Sequence, residues 1–277
     1  MTTSNTVLVL GGTGKTGSRV AALLRERSVP VRIGSRSART PFDWADRGTW
    51  DAALAGVRAV YIAYQPDLAV PGAPDAINAL VGAARRHGVE QLVLLSGRGE
   101  PEAAECEQIV RDSGLRWTVL RCGWFAQNFS EGAFADYILA GEVALPAGAV
   151  PEPFVDADDI ADVAVAAFTE DRHDGQVYEI TGPRALTFAE AVAEIARATG
   201  RPIAYIPIDR AEFVAGLTAY GLSADEIGLL DYLFGTVLDG RNSQPADGVQ
   251  RALGRKPRDF SEYVRNTAAT GVWSAGA

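Results

Sequence analysis

Three glycines near the start of the chain, Gly11, Gly14 and Gly17, have the spacing G-x-x-G-x-x-G. They follow the apolar run Val7–Leu10, which predicts a buried parallel strand, and they precede residues 18–27, whose apolar positions have helical spacing. Glycine is required where a chain turns sharply and where a Cβ atom would block a diphosphate. The N–H groups and the dipole of the following helix attract phosphate. This loop therefore predicts a dinucleotide site.

The same segment also offers a competing interpretation, because Gly14-Lys15-Thr16 resembles the end of an ATP-binding P-loop. That motif requires a further glycine at position 9. Position 9 is Val9, inside the predicted strand. The sequence therefore argues against an ATPase.

The second predicted strand is Val29–Ile33, and the residues that follow it indicate which dinucleotide is bound. An acidic side chain there would accept hydrogen bonds from a ribose 2′-hydroxyl and favour NAD. This chain has Ser35 and Arg36 at that place instead. Arginine presents a planar fork of donors to a phosphate, and serine adds one more donor. The pattern predicts NADP(H).

Strands alternate with helices through the first half of the chain, which predicts an α/β protein with a Rossmann-type doubly wound parallel sheet. Three further strands are predicted from short apolar runs at Ala59–Ala63, Gln91–Leu95 and Trp117–Leu120. Helices are predicted between them over residues 75–87 and 101–112.

The alternation of strands and helices is less regular in the second half of the chain. Residues 158–169 predict a helix, and Thr187 with Glu190 and Ser223 with Glu226 predict two capping boxes. We expect residues 1–125 to form the NADP-binding domain and residues 126–277 to form a smaller, mostly helical substrate-binding lobe interwoven with the sheet.

Composition argues against several other classes of protein. The net charge of −9 disfavours nucleic-acid binding, and no long apolar segment or signal peptide is present, so we expect a cytoplasmic protein without membrane contact. The cysteines, Cys106 and Cys122, and the histidines, His87 and His173, lack metal-ligand spacing. We therefore expect no metal, and a small molecule as the partner.

Several stretches beyond the glycine loop resemble the NmrA-like atypical short-chain dehydrogenase/reductases, across nearly the whole chain. They are Gly11–Gly17, Phe42–Trp44, Leu94–Ser96, Ser113–Leu115, Trp117–Arg121, Trp124–Phe125, Asn128–Ser130, Phe154–Val155 and Asp158–Ala161. Within that family the sequence is most similar to the clavine dehydrogenases of ergot alkaloid formation. That likeness lies in Gly11–Thr16, Phe42–Trp44, Thr49–Trp50, Lys256–Arg258 and Phe260.

The resemblance implies a Rossmann core, NADP(H) as cofactor and a set of site residues. The diphosphate would be lined by Gly11, Thr13, Gly14, Lys15 and Thr16, and the adenine would lie near Asp43 and Trp44. The nicotinamide side would be approached by Ala63, Tyr64, Gln65, Ser96 and Cys122. A substrate would face Trp124, Phe125 and Asn128, although core packing explains the two aromatic residues equally well.

The chain departs from the superfamily at one chemically important place. Typical members carry Tyr-x-x-x-Lys on the helix that begins near residue 101, and the corresponding positions here are Gly99 and Ala103. The usual proton donor is absent, so the catalytic residue is unknown, with Ser96 and Tyr64 as weak candidates.

The resemblance favours an NADPH-dependent oxidoreductase that transfers hydride to a conjugated iminium, quinone or enone in secondary metabolism. Two alternatives stay open at this stage. One is a non-catalytic NADP(H)-binding redox sensor, and the other is a tailoring oxygenase that acts on an aromatic, polyketide-like substrate.

Replacing Arg36 by glutamate tests the choice of cofactor. A charge-assisted arginine–phosphate bond contributes about 1.5–3 kcal/mol, so we expect the parent to bind NADPH about ten- to a hundredfold more tightly than NADH. The Arg36→Glu variant should lose that preference. Calorimetric titration of both proteins with both cofactors measures it, and equal affinities in the parent would refute the assignment.

Overall fold

Six strands form one parallel sheet in the computed structural model, which describes residues 5–274. Their spatial order is β2-β1-β3-β4-β5-β7, and each neighbouring pair is parallel. Two further strands, β6 and β8, pair separately and are also parallel. The strands are β1 Thr6–Leu10, β2 Val31–Gly34, β3 Val57–Ile62, β4 Gln91–Gly97, β5 Arg116–Cys122, β6 Glu142–Leu145, β7 Gln176–Ile180 and β8 Ala204–Pro207.

Helices connect the strands and cover both faces of the large sheet. Gln91 on β4 donates to the Ala167 carbonyl on one face, and Ser96 on the same strand donates to Glu107 on the other, as expected from the alternation of side chains along a strand. No helix within residues 5–274 is long and apolar enough to cross a membrane. The helices are α1 Lys15–Glu26, α2 Trp50–Leu54, α3 Ala73–Arg86, α4 Pro101–Arg111, α5 Ala133–Ala140, α6 Ala157–Thr169, α7 Phe188–Thr199, α8 Arg210–Tyr220, α9 Ala224–Tyr232, α10 Gly248–Leu253 and α11 Phe260–Ala269.

The order of the strands reverses at β1. The chain passes from β1 outward to β2 and then returns to β3 on the other side of β1. In open sheets of this kind, ligands bind outside the carboxyl ends of the strands at the point of reversal. The Rossmann-type doubly wound sheet predicted from the alternating pattern is confirmed, with the five predicted strands and small shifts at their ends.

Two compact units are present, and each is discontinuous in sequence. The first contains the large sheet and comprises residues 5–122, Ala157–Ile180 and Asp247–Arg255. We expected a boundary at residue 125, but α6, β7 and α10 lie beyond that residue and belong to the first unit. The physical reason is that β7 continues the sheet beside β5, and that α6 packs beside α1. The apolar pattern of residues 176–180 did not lead us to predict this strand.

The second unit comprises residues 123–156, 181–246 and 256–274, and it is mostly helical. Its core is rich in aromatic side chains, among them Phe129, Phe188 and Trp273, each at most 1% exposed. Both predicted capping boxes are confirmed, and they begin α7 and α9. Each gives a helix start that needs no contact with another element.

A buried network of charged groups joins α4 to the strands of the sheet. Glu107 on α4 is 2% exposed and accepts hydrogen bonds from Ser96 Oγ at 2.7 Å and from Arg121 Nε at 2.9 Å. Arg121 on β5 also donates to Glu179 on β7. These hydrogen bonds from Arg121, first to Glu107, raise the pKa of its guanidinium.

Replacing Glu107 by leucine should destabilise the protein. The substitution removes the acceptor while leaving Arg121 and Ser96 without their main partner inside the protein. Removal of one member of a buried pair costs about 3–5 kcal/mol, and the partial exposure of Arg121 favours the lower end. Urea denaturation measures the change in the free energy of unfolding.

Glu105→Gln is the matched control, because Glu105 is an exposed carboxylate on the same helix. Surface substitutions of this kind change stability by at most about 0.5 kcal/mol. If the two variants were equally stable, the network would contribute nothing to folding.

Candidate active site

The glycine loop between β1 and α1 brings the helix into direct contact with the turn. A Cβ atom at Gly17 would stand 2.3 Å from the Gly11 carbonyl oxygen, which is closer than any real contact. Gly11 itself has a φ of +67°, and a Cβ there would stand 3.1 Å from Ala63 Cβ, just after β3. These glycines leave a bare backbone surface at the point where the strand order reverses.

The N-terminus of α1 lies at the end of this loop and fits a diphosphate. Gly14 precedes the first helical residue, no side chain caps the helix, and the first turn carries no acidic group. The positive end of the helix dipole is thus available to an anion. Of the predicted diphosphate residues, Thr13 is exposed and Lys15 is half-buried, whereas Thr16 is buried and turns its side chain inward.

The predicted 2′-phosphate residues lie in the turn directly after β2. Arg36 is exposed and Ser35 is half-buried, and Arg36 pairs with no carboxylate in the part of the chain that the structure describes. A second exposed guanidinium, Arg39, occurs in the same turn. We did not single out Arg39 from the sequence, although its position three residues after Arg36 would have indicated it. The turn after β2 thus carries two exposed positive charges, as we expect of a site for the 2′-phosphate.

The predicted adenine residue Trp44 belongs to a cluster of aromatic rings in the first unit. Its ring centroid lies 5.0 Å from Phe42, 5.8 Å from Trp50 and 4.7 Å from Tyr64. The carbonyl of Asp43 accepts a hydrogen bond from Trp50 Nε1, which fixes the start of this segment. Trp44, which we expect at the adenine, and Tyr64, which we expect at the nicotinamide, are therefore neighbours.

This contact bears on the candidacy of Tyr64 as an acid. Its ring packs against Trp44, and burial, followed by the nearby Cys106, raises the pKa of the phenol. A raised pKa makes a phenol a weaker proton donor at neutral pH. Gln65, the next residue, is exposed.

Ser96 and Cys122 lie at the carboxyl ends of β4 and β5, and their side chains are engaged elsewhere. The Ser96 hydroxyl donates its proton to Glu107, on the α4 face of the sheet. Cys122 is buried, its Sγ lies 3.6 Å from the Leu120 carbonyl, and burial raises the pKa of its thiol. Both side chains therefore have partners inside the protein.

The two positions that replace the usual tyrosine and lysine carry no donor. Gly99 has a φ of +80° in the turn before α4, and Ala103 is fully buried in the apolar core. A pair of carboxyl groups lies close by, which we missed in the sequence. Glu100 immediately precedes α4, and Asp67 follows β3, so both come after the carboxyl ends of neighbouring strands.

The predicted substrate residues lie in the second unit. Trp124 is half-buried, and its ring lies 4.9 Å from Phe234 and 5.4 Å from Phe188. Phe125 is half-buried and forms a bridge with Val155, whereas the Asn128 side chain is half-buried without a hydrogen bond to another described residue.

Phe234 lies in a turn of π-helix, Leu233–Val237, that continues α9. Such turns are rare and occur often at functional sites. The turn presents an aromatic ring to Trp124.

Comparison with known proteins assigns the family. Residues 11–171 match the NAD(P)H-binding family. The chain is 32% identical to an NAD(P)H azoreductase of Xenophilus azovorans, covering 95% of this chain and 98% of that protein. It is 30% identical to an agroclavine dehydrogenase of Claviceps fusiformis, covering 97% and 98% of the two chains.

The fold also matches a solved structure over most of its length. It superimposes on an NADPH-dependent quinone oxidoreductase of Escherichia coli, solved with NADPH, with a TM-score of 0.77, 23% identity, and coverage of 94% and 99%. At this level of sequence identity, the structural similarity is evidence for the fold alone. Together with the relatives, it agrees with the resemblance found in the sequence. The chain belongs to the NAD(P)H-binding family as an NmrA-like atypical short-chain dehydrogenase/reductase, near the clavine dehydrogenases, and it is an NAD(P)H-dependent oxidoreductase.

Proposed function

We propose that this enzyme reduces a conjugated small-molecule electrophile of the iminium, quinone or enone type with NADPH, in secondary metabolism. The observation that carries the proposal is the absence of a tyrosine and lysine at the start of α4, where Gly99 and Ala103 stand. NADPH, when bound, supplies a hydride, which is two electrons and one hydrogen nucleus.

The missing donor restricts the substrates that the enzyme can reduce. Reduction of a simple ketone creates an alkoxide, and a positioned acid contributes about 10²–10⁴-fold to such a step. Ser96 cannot replace the tyrosine, because its proton is committed to Glu107 and a serine hydroxyl is a weak acid. An enzyme that lacks the tyrosine and the lysine is therefore less suited to simple ketones than typical members of the superfamily.

Conjugated electrophiles lessen this requirement. An iminium ion that accepts hydride becomes a neutral amine and needs no proton. A quinone or an enone spreads the developing negative charge over several atoms, so that its protonation can follow the hydride step. For these substrates, holding the reactants in contact supplies a large part of the catalysis.

The aromatic surface around Trp124 supports a flat, apolar substrate. Within the second unit its indole lies against the rings of Phe134, Phe188 and Phe234. Aromatic rings prefer offset or edge-to-face contact with other conjugated groups. Phe134 and Phe234 are nearly completely buried, so Trp124 is the member of the group that has surface left for a ligand.

The activities for which the relatives are named point to the same class of acceptor. One relative is an azoreductase and another is an agroclavine dehydrogenase. An azo group is a conjugated acceptor, as is the quinone of the structurally similar oxidoreductase. This agreement supports an acceptor with delocalised electrons.

A panel of acceptors tests the proposal. We expect NADPH oxidation, followed by absorbance under argon, with a cyclic iminium ion, a quinone, an enone or an azo dye, and little oxidation with a simple ketone. Ser96→Ala should leave the active combinations unchanged, because the hydroxyl serves Glu107.

Three outcomes would contradict this assignment. Efficient reduction of simple ketones would show that the loss of the tyrosine and the lysine does not restrict the substrates. A complete lack of turnover, with NADPH still bound, would favour the redox sensor. Oxygen consumption with an aromatic substrate in the absence of NADPH would favour the oxygenase.

A further inference from the structure

Two carboxyl groups follow the carboxyl ends of the neighbouring strands β3 and β4. Asp67 follows β3 and Glu100 precedes α4, and burial together with the charge of Asp67 raises the pKa of Glu100. Two ionised carboxylates repel each other and have no proton with which to form a hydrogen bond. A proton held between Asp67 and Glu100 relieves this repulsion, and such a proton belongs to the pair as a unit.

Burial places that proton on Glu100. Glu100 is 9% exposed, and its Oε2 is buried with no N–H or O–H donor among residues 5–274. Burial raises the pKa of Glu100 to about 9, with further contributions from the charges of Asp67 and Glu102. A pKa raised in this way favours the protonated form of Glu100 at neutral pH.

Asp67 is suited to be the ionised partner. Burial raises the pKa of Asp67, but the hydrogen bond that its Oδ1 accepts from the Ala69 amide at 2.9 Å favours the charged form and opposes that effect. Asp67 is also only partly buried. It therefore offers Glu100 a route for exchanging protons with water.

The chain makes room for the Glu100 carboxyl by placing glycine at the end of β4. A Cβ atom at Gly97 would stand 2.2 Å from the Glu100 carboxyl atoms. The acid therefore occupies the space directly over the last residue of the strand, where any other residue would project its side chain.

This strand end adjoins the residues assigned to the nicotinamide side. Gly97 follows Ser96 and pairs in register with Cys122 on β5. On the other side, Asp67 comes shortly after Ala63, which touches the glycine loop at Gly11. The carboxyl pair thus lies along the edge of the sheet where ligands of such folds bind.

We infer that Glu100, positioned by Asp67, is the proton donor for substrates that must gain a proton together with the hydride, an inference that rests on the proposed function. The acceptor gains two electrons and a hydrogen nucleus from NADPH, which is oxidised to NADP⁺. The Oε–H bond of Glu100 breaks, and a new O–H, N–H or C–H bond forms on the acceptor. Glu100 regains a proton from water by way of Asp67.

Glu100→Gln keeps the shape of the side chain and removes the acid. We expect the kcat for an enone, a quinone or an azo dye to fall by about 10²-fold, which is the lower end of the range for a general acid, because the delocalised charge lessens the need for one. The kcat for a cyclic iminium ion should stay unchanged, because that product needs no proton. Glu105→Gln, which removes an exposed carboxylate from the same helix, should leave both classes unchanged.

Two measurements on the cofactor-free protein test the protonated carboxyl without relying on turnover. The infrared C=O stretch of a carboxylic acid should be present at pH 7 in the parent and in Glu105→Gln, and absent in Glu100→Gln. In the parent it should disappear with a midpoint near pH 9, and Asp67→Asn should lower that midpoint.

Thermal unfolding gives the second measurement. Because the pKa of Glu100 is raised from 4.5 to about 9 on folding, the folded state binds more protons than the unfolded state between these values. Stability conferred by the protonated form is present at low pH and is lost as the pH rises through this window. The difference in Tm between Glu100→Gln and the parent should therefore grow in favour of the variant from pH 5 to pH 9.

The outcomes separate this inference from the proposed function. Absence of the acid band at pH 7, or an equal loss of kcat on iminium and enone substrates, would overturn the role of Glu100 as a proton donor. A fully active Glu100→Gln would overturn it as well, while leaving the proposed function intact. A parent that binds NADPH and reduces no conjugated acceptor would instead overturn the proposed function.

Discussion

The close packing of α1 on the turn after β1 is the constraint on which the cofactor site depends. Because Gly17 has no Cβ, the helix can approach the Gly11 carbonyl, and its N-terminus then points at the edge of the sheet. Gly11 in turn lies against Ala63, which ties the loop to the next strand. A methyl group at Gly17 would separate the helix from the loop and move the positive end of its dipole away from a bound diphosphate.

The parallel sheet gathers the remaining chemistry at one edge, since all six strands end on the same side. At that edge, α4 has a structural role and lacks the usual catalytic pair. Its buried Glu107 holds Ser96 and Arg121 in a structural network, and its first turn lacks a tyrosine and a lysine. The acid that we propose stands one residue before the helix, at Glu100, where glycine at position 97 gives it space. The structural carboxyl group, Glu107, and the proposed catalytic one, Glu100, are therefore different residues.

The second unit supplies a different kind of surface. Its core consists largely of aromatic rings, and Trp124 extends from that core as a half-buried indole. Binding that relies on flat apolar contact is tolerant of detail, because ring contact and burial depend on area and orientation more than on particular hydrogen bonds. The site lacks the conventional tyrosine donor, and the aromatic surface suits flat molecules with delocalised electrons. Both features favour conjugated acceptors over simple ketones.

The sequence by itself determined the dinucleotide loop, the alternation of strands and helices, the two capping boxes and the loss of the tyrosine and lysine, because each of these is a local pattern. It also indicated Arg36, which requires only its place after β2. The sequence did not indicate β7, whose five residues become a strand by pairing with β5, nor the passage of the chain back into the first unit. Only the tertiary structure decided that Ser96 donates to Glu107, that Tyr64 packs on Trp44, and that burial and the charge of Asp67 raise the pKa of Glu100. The physical reason is that each of these interactions joins different segments of the chain, and that the pKa of a carboxyl group is set by its burial and its neighbours, which exist only once the strands are aligned.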